Sequence, residues 1–318
     1  MEERKVFEKK NFYDKNDSGV ALLVASLLPT LLLFFVTFVA MIFRGNTEGL
    51  SNEIWYVILA GILSNTALIL TVLFTNVIGG KTFSSTNVKF NISWKTVLVC
   101  FGVAIICYFG FVNFINVTDV GLEKIGFESG SINLPLTNFG WLTLYLVLYA
   151  ILPAICEELV FRGVIFNGLR KNFSDVFAVV FSGLLFALMH GSITQFIYPF
   201  CMGIIFAIIV LRTGSVLCSM IVHMVNNIFV IVFSFLEMSY GHSILLPTNV
   251  WGVLISILIV VLSGVTLFLI DKLLFKHKRH DSMEIEKEKN GGLGICMTVG
   301  LVIVCVLFVV NLVYPFLK

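Results

Sequence analysis

Runs of about twenty consecutive apolar residues recur along nearly the whole of this chain, and no other feature constrains its fold as much. At 1.5 Å per residue, one such run crosses the roughly 30 Å of hydrocarbon in a bilayer. Backbone N–H and C=O groups meet no water there, so each run must satisfy them internally, as a helix does. The expected fold class is therefore all-α, a polytopic transmembrane helical bundle of eight to nine spans. Nine can be drawn, at about 19–43, 54–79, 96–117, 140–170, 174–190, 192–211, 215–237, 250–271 and 294–315. The first outlasts the apolar stretch of a secretory leader and has no small-residue cleavage pattern after it, so a retained helix is expected. The fourth is long for a simple crossing, and its end should project from the bilayer. The fifth and sixth should be joined by a very short turn around Gly191–Ser192.

Composition supports this solvent. Hydrophobic residues are 58% of the chain and charged residues 13%, against about 25% charged in a soluble domain. A net charge of +2 without a basic stripe gives no reason to expect nucleic acid as a partner. The basic residues are distributed unevenly. Seventeen of the 21 Lys and Arg fall on the side that carries the N-terminus, and only Arg44, Lys124 and Lys318 on the other; Arg162 lies within a span. The positive-inside rule then predicts a cytoplasmic N-terminus and an outer C-terminus.

The polar segment 118–139, with Asp119, Glu123 and Glu128, is expected to be an outer loop. The mixed-charge segment 276–290 should be a solvated inner connector beside the headgroups. No internal repeat suggests the inverted halves of many transporters. All seven cysteines sit in apolar segments, which fits packing residues rather than a disulfide framework or a zinc knuckle.

Ionisable groups inside apolar spans are costly to bury and point to function. Glu157, Glu158 and Arg162 share the fourth span, while His190 and His223 lie in the fifth and seventh. Asp175, Glu237 and Asp271 are near span ends, and His242, His277 and His280 fall in loops. Adjacent helical residues point about 100° apart, so Glu157 and Glu158 should have different tasks. Glu158 and Arg162 are four apart and should pair along one face, leaving Glu157 free to face a cavity. Pro153 removes one rung of the helical ladder, and the exposed backbone polar groups should help hold water near Glu157. His223 and Asn227, also four apart, can both donate to one developing oxyanion. The ring of Phe186 can pack beneath His190, one turn on. Together these groups supply what peptide hydrolysis requires.

Three motifs in order, Glu157-Glu158-Leu159-Val160-Phe161-Arg162 (EExxxR), Phe186 to His190 (FxxxH) and His223 to Asn227 (HxxxN), resemble the CPBP family. That family comprises CAAX proteases, including Rce1-like prenyl-protein endopeptidases, bacteriocin-processing enzymes and abortive-infection proteins. The resemblance covers roughly residues 140–235 and implies an intramembrane glutamate-dependent endopeptidase. It implies Glu157 as general base assisted by His190, His223 and Asn227 as the oxyanion hole, and Glu158 with Arg162 as structural support. The implied substrate is a membrane-associated peptide or protein. Some relatives imply a lipidated, prenylated CAAX tail, which the polar inventory here does not identify.

Three alternatives accompany this reading. The first is a zinc-dependent protease with Glu157, His190 and His223 as ligands, although no HExxH helix is present and a metal-free mechanism is expected. The second is a proton-coupled transporter using the same groups as a relay. The third is a non-proteolytic membrane immunity or scaffold protein. The domain organisation expected is an N-terminal segment with three helices over 1–139, a catalytic core of four helices over 140–237, and two further helices with the charged linker over 238–318.

Overall fold

The computed structural model describes residues 12–127, 136, 138–241, 243–274 and 292–313. Among these residues there is no strand, and nine helices carry the fold: α1 Lys15–Arg44, α2 Ile54–Gly79, α3 Trp94–Glu123, α4 Phe139–Asn172, α5 Asp175–Met189, α6 Ile197–Thr213, α7 Val216–Tyr240, α8 Val250–Leu274 and α9 Ile295–Val313. This is the helical membrane bundle that the apolar runs predict.

The ends follow local chemistry. Asp14 accepts from the N–H groups of Asn16 and Asp17, and Asp17 accepts from the N–H of Asp14, a reciprocal cap that starts α1. Gly45, Gly80, Gly214 and Gly241 end α1, α2, α6 and α7 in the left-handed region, where a side chain would be strained.

The structure corrects several sequence expectations. Among the described residues seven helices are long and apolar enough to cross a membrane, but α5 and α6 have only 15 and 17 residues. They reach about 22 and 25 Å, short of the hydrocarbon thickness. They pack on each other as a hairpin joined by residues 190–196, longer than the two-residue turn expected. Gly191 turns the chain at φ +67°, and α6 begins only at Ile197. A hairpin changes the span count by two, so the sidedness expected from the basic residues is the same for seven spans or nine. At the opposite end, α3 runs on to Glu123, so Asp119 and Glu123 sit on a helix rather than in a loop. Glu128, His242, His277, His280 and the linker 276–290 lie outside the described residues.

Helix α4 is the hub, packing against α1, α2, α5, α6 and α7. Every residue from Glu158 to Arg170 is buried, as expected of a helix surrounded by others. It is 34 residues long, about 50 Å, and contains two wide-turn π segments, Leu146–Ile151 and Leu159–Phe166. In the first, Leu152 donates its N–H to Val147, five residues back. In that register the carbonyl of Leu148 faces Pro153, which has no N–H. Asn65 of α2 fills the gap, donating Nδ2 to the Leu148 carbonyl at 3.2 Å. The backbone oxygen that Pro153 leaves open is therefore taken by an amide.

Small residues let the neighbours approach α4 and each other. A Cβ on Gly168 would lie 2.3 Å from the Asp14 carbonyl oxygen, so glycine allows α1 to cross here. The Ser18 hydroxyl at this crossing donates to the Ile165 carbonyl at 3.0 Å. A Cβ on Gly203 would meet the Gly183 Cα at 2.7 Å, which sets the closeness of the α5–α6 hairpin.

Candidate active site

The site forms where α4, α5, α6 and α7 meet. Glu158 and Arg162 are both fully buried, and Nη1 of Arg162 donates to Oε1 of Glu158 at 2.8 Å. This is the i,i+4 pair read from the sequence. Nη2 donates to the Gly203 carbonyl at 3.0 Å, which anchors the guanidinium to α6. The rings of Phe186, Phe206 and Phe161 lie 4.5, 5.0 and 5.8 Å from the guanidinium carbon. Cation–π attraction in such a desolvated box offsets part of the cost of burying the charge, at about 2 kcal/mol for a good contact.

His223 reaches across from α7. Its Nδ1 lies 3.1 Å from the same Oε1 of Glu158, and its Nε2 lies 3.9 Å from Oε2 of Glu157. The imidazole stacks on Phe206 at 4.7 Å and 20°, and meets Phe186 edge-on at 5.8 Å. Oε1 already accepts from a guanidinium, which has no acceptor of its own, so the proton at this contact is assigned to Nδ1 of His223. A neutral His223 then presents a lone pair at Nε2. With Nδ1 turned to Glu158, His223 can donate from Nε2 only as the imidazolium. At 3.9 Å, Nε2 of His223 and Oε2 of Glu157 are too far apart for a direct hydrogen bond, and face each other across a short gap. Glu157 is partly open, with 23% of its side chain exposed, whereas Glu158 is sealed. The two adjacent acids therefore have different surroundings, as their 100° offset predicts.

His190 follows the last residue of α5, and its Nδ1 lies 2.8 Å from the Phe186 carbonyl. A carbonyl only accepts, so Nδ1 carries the proton and Nε2 of the neutral ring is an acceptor. The Phe186 ring lies 4.8 Å from the His190 ring and also touches His223, so both imidazoles flank one phenyl group. Asn227 lies one turn beyond His223 on α7. Nδ2 of Asn226 points to Oδ1 of Asn227 at 3.5 Å, and the Tyr198 hydroxyl of α6 donates to Oδ1 of Asn226.

Phe206, Tyr198 and Asn226 were not legible as site residues. Phe206 is one aromatic among many, and Tyr198 lies outside the three motifs. For Asn226 a signal existed, since a second amide in an apolar span is costly. Among the described residues no group of three or more His, Cys, Asp or Glu side chains is disposed to hold a metal ion. All seven cysteines are free. An apolar cavity of about 330 Å³ lies between the end of α3 and the α5–α6 link, lined by Thr118, Gly121, Leu122, Ile193 and Ile197. None of the acid or imidazole groups lines it.

Comparison with known proteins agrees with the motif reading. Residues 139–229 match the family described as type II CAAX prenyl endopeptidase Rce1-like. Of the curated proteins, "Putative membrane peptidase YdiL" of Bacillus subtilis (strain 168) is 28% identical over 108 residues, which is 34% of this chain and 44% of that protein. "Membrane-embedded CAAX protease MroQ" of Staphylococcus aureus (strain USA300) is 32% identical over 100 residues, 30% of this chain and 40% of that one. The chain thus spans under half the length of the curated relatives it matches. No solved structure matches it.

Proposed function

We propose that this chain, a multi-pass membrane protein of the CPBP type over residues 139–229, is an intramembrane endopeptidase that hydrolyses a peptide bond in a membrane-associated protein or peptide. The observation that supports this best is the junction of His223 with both glutamates: Nδ1 at 3.1 Å from Glu158, Nε2 at 3.9 Å from Glu157. Glu157 is the only one of the two acids open to a water molecule or a substrate carbonyl.

In the proposed reaction Glu157 takes a proton from water as the oxygen attacks the scissile carbonyl. The Nε2 lone pair of His190 accepts from the same water. His223, as the imidazolium, donates from Nε2 to the oxyanion, and Nδ2 of Asn227 supplies the second donor. The proton on Glu157 then passes to the leaving amine as the C–N bond breaks. Glu158 keeps Nδ1 of His223 protonated and the ring aligned, and Arg162 and the phenyl groups hold Glu158 in place. The chemistry requires no metal from these residues. The basic-residue distribution supports a cytoplasmic N-terminus. His223 is seven residues into α7, about 10 Å along it, which would put the reaction within the inner half of the bilayer.

The test uses purified protein in lipid vesicles with a panel of membrane peptides, prenylated and unprenylated. The wild type should cleave one or more of them, and Glu157→Gln should be slower by at least about a hundredfold. Undiminished cleavage by Glu157→Gln would remove Glu157 as the base.

A further inference from the structure

We propose that Tyr198 is a positioning residue for Asn227, acting through the Asn226 carboxamide. This deepens the protease reading and rests on it for its kinetic consequence. A primary amide contributes to an oxyanion site only with its NH₂ end turned inward. Rotated by 180°, it presents a carbonyl oxygen and repels the developing charge. Nothing within Asn227 prefers one orientation, so a partner must choose.

The chain of contacts makes that choice. The Tyr198 hydroxyl, near the start of α6, donates to Oδ1 of Asn226 on α7. With its oxygen occupied, Asn226 turns Nδ2 towards Oδ1 of Asn227, 3.5 Å away. Asn227 in turn has its oxygen engaged, and its Nδ2 is left to donate. Every member passes a donor in the same direction, from phenol to amide to amide, and each bond polarises the next. Asn226 is 3% exposed, so bulk water does not compete for its groups. The Tyr198 ring is braced by Phe111 at 5.9 Å.

The bland role for this contact is glue between α6 and α7, and the experiment is built to separate the two. A double-mutant cycle tests dependence. Tyr198→Phe should lower kcat about tenfold with KM unchanged, and should have no further effect in the Asn227→Ala background. Glue predicts the same loss in both backgrounds, and that result overturns the proposal. Asn226→Leu keeps the size but removes both the acceptor for Tyr198 and the donor to Asn227, so it should reproduce or exceed the kcat loss. A normal rate in this variant also overturns it. The second readout needs no turnover. In protein carrying ¹³C-labelled asparagine, the infrared carbonyl band that Asn227→Ala removes should shift to higher wavenumber in Tyr198→Phe and in Asn226→Leu. An unshifted band overturns the relay. A shifted band in a protein that cleaves nothing supports the relay and overturns the protease reading instead.

Discussion

His223 and Glu158, separated by 65 positions in the chain, meet at 3.1 Å in the centre of the bundle, where the acid assigns the proton on the imidazole. The same oxygen of Glu158 receives Arg162 at 2.8 Å. One carboxylate thus serves both the charge balance of α4 and the alignment of a ring on α7.

That double role predicts how the pair responds to substitution. Glu158→Gln leaves the Arg162 charge buried without its counter-charge, and loss of one partner from a buried pair costs about 3–5 kcal/mol. The double variant Glu158→Leu/Arg162→Leu removes both charges and should unfold later than Glu158→Gln. It should still be inactive, since His223 loses its Nδ1 acceptor. Denaturant unfolding in detergent micelles, read beside the cleavage assay, checks both statements.

The contact between Asn65 and the Leu148 carbonyl exists because Pro153 cannot donate. Asn65→Leu should cost about 1–3 kcal/mol by leaving a buried carbonyl without a partner. Pro153→Ala restores an N–H at that turn, so the double variant should lose less than the sum of the two single changes. Additive losses in the same unfolding measurement would refute this account of the π segment.

Gly203 should not tolerate even one methyl group. Its Cβ would come within 2.7 Å of the Gly183 Cα, which is backbone and cannot rotate away. Gly203→Ala should cost about 1–3 kcal/mol through overpacking. It should also weaken activity, since the Gly203 carbonyl that it displaces anchors Arg162 at 3.0 Å. A variant with wild-type melting temperature and rate would show that the α5–α6 hairpin can relax without disturbing α4.

A metal-free reaction predicts that prolonged exposure to a strong chelator, followed by transfer into metal-free buffer, leaves cleavage unchanged. Loss of activity restored by zinc would favour the zinc-dependent alternative. Measuring bound metal in the same sample ties the outcome to the protein rather than to the buffer.

The helical membrane bundle and the ionisable groups anomalous within it were legible in the sequence. Helix α2 spans 54–79 as read from the apolar run, because the bilayer leaves a backbone no other way to satisfy itself. Glu157, Glu158, Arg162, His190 and His223 stood out for a related reason: an ionisable group in hydrocarbon is too costly to persist without a use or a partner. The Glu158–Arg162 bond was also readable, since i,i+4 proximity is a property of the helix itself.

Residue order thus fixes what is local or imposed by the solvent: which segments are helical, which residues are anomalous within them, and which neighbours one turn apart can bond. Packing in three dimensions is what lets Asn65 answer Pro153, stacks Phe206 on His223, folds α5 and α6 into a short hairpin, and turns Nδ1 of His223 to Glu158. Those outcomes depend on the rotation and separation of helices about their axes. Packing against several neighbours at once sets these, and no periodicity along one helix encodes them.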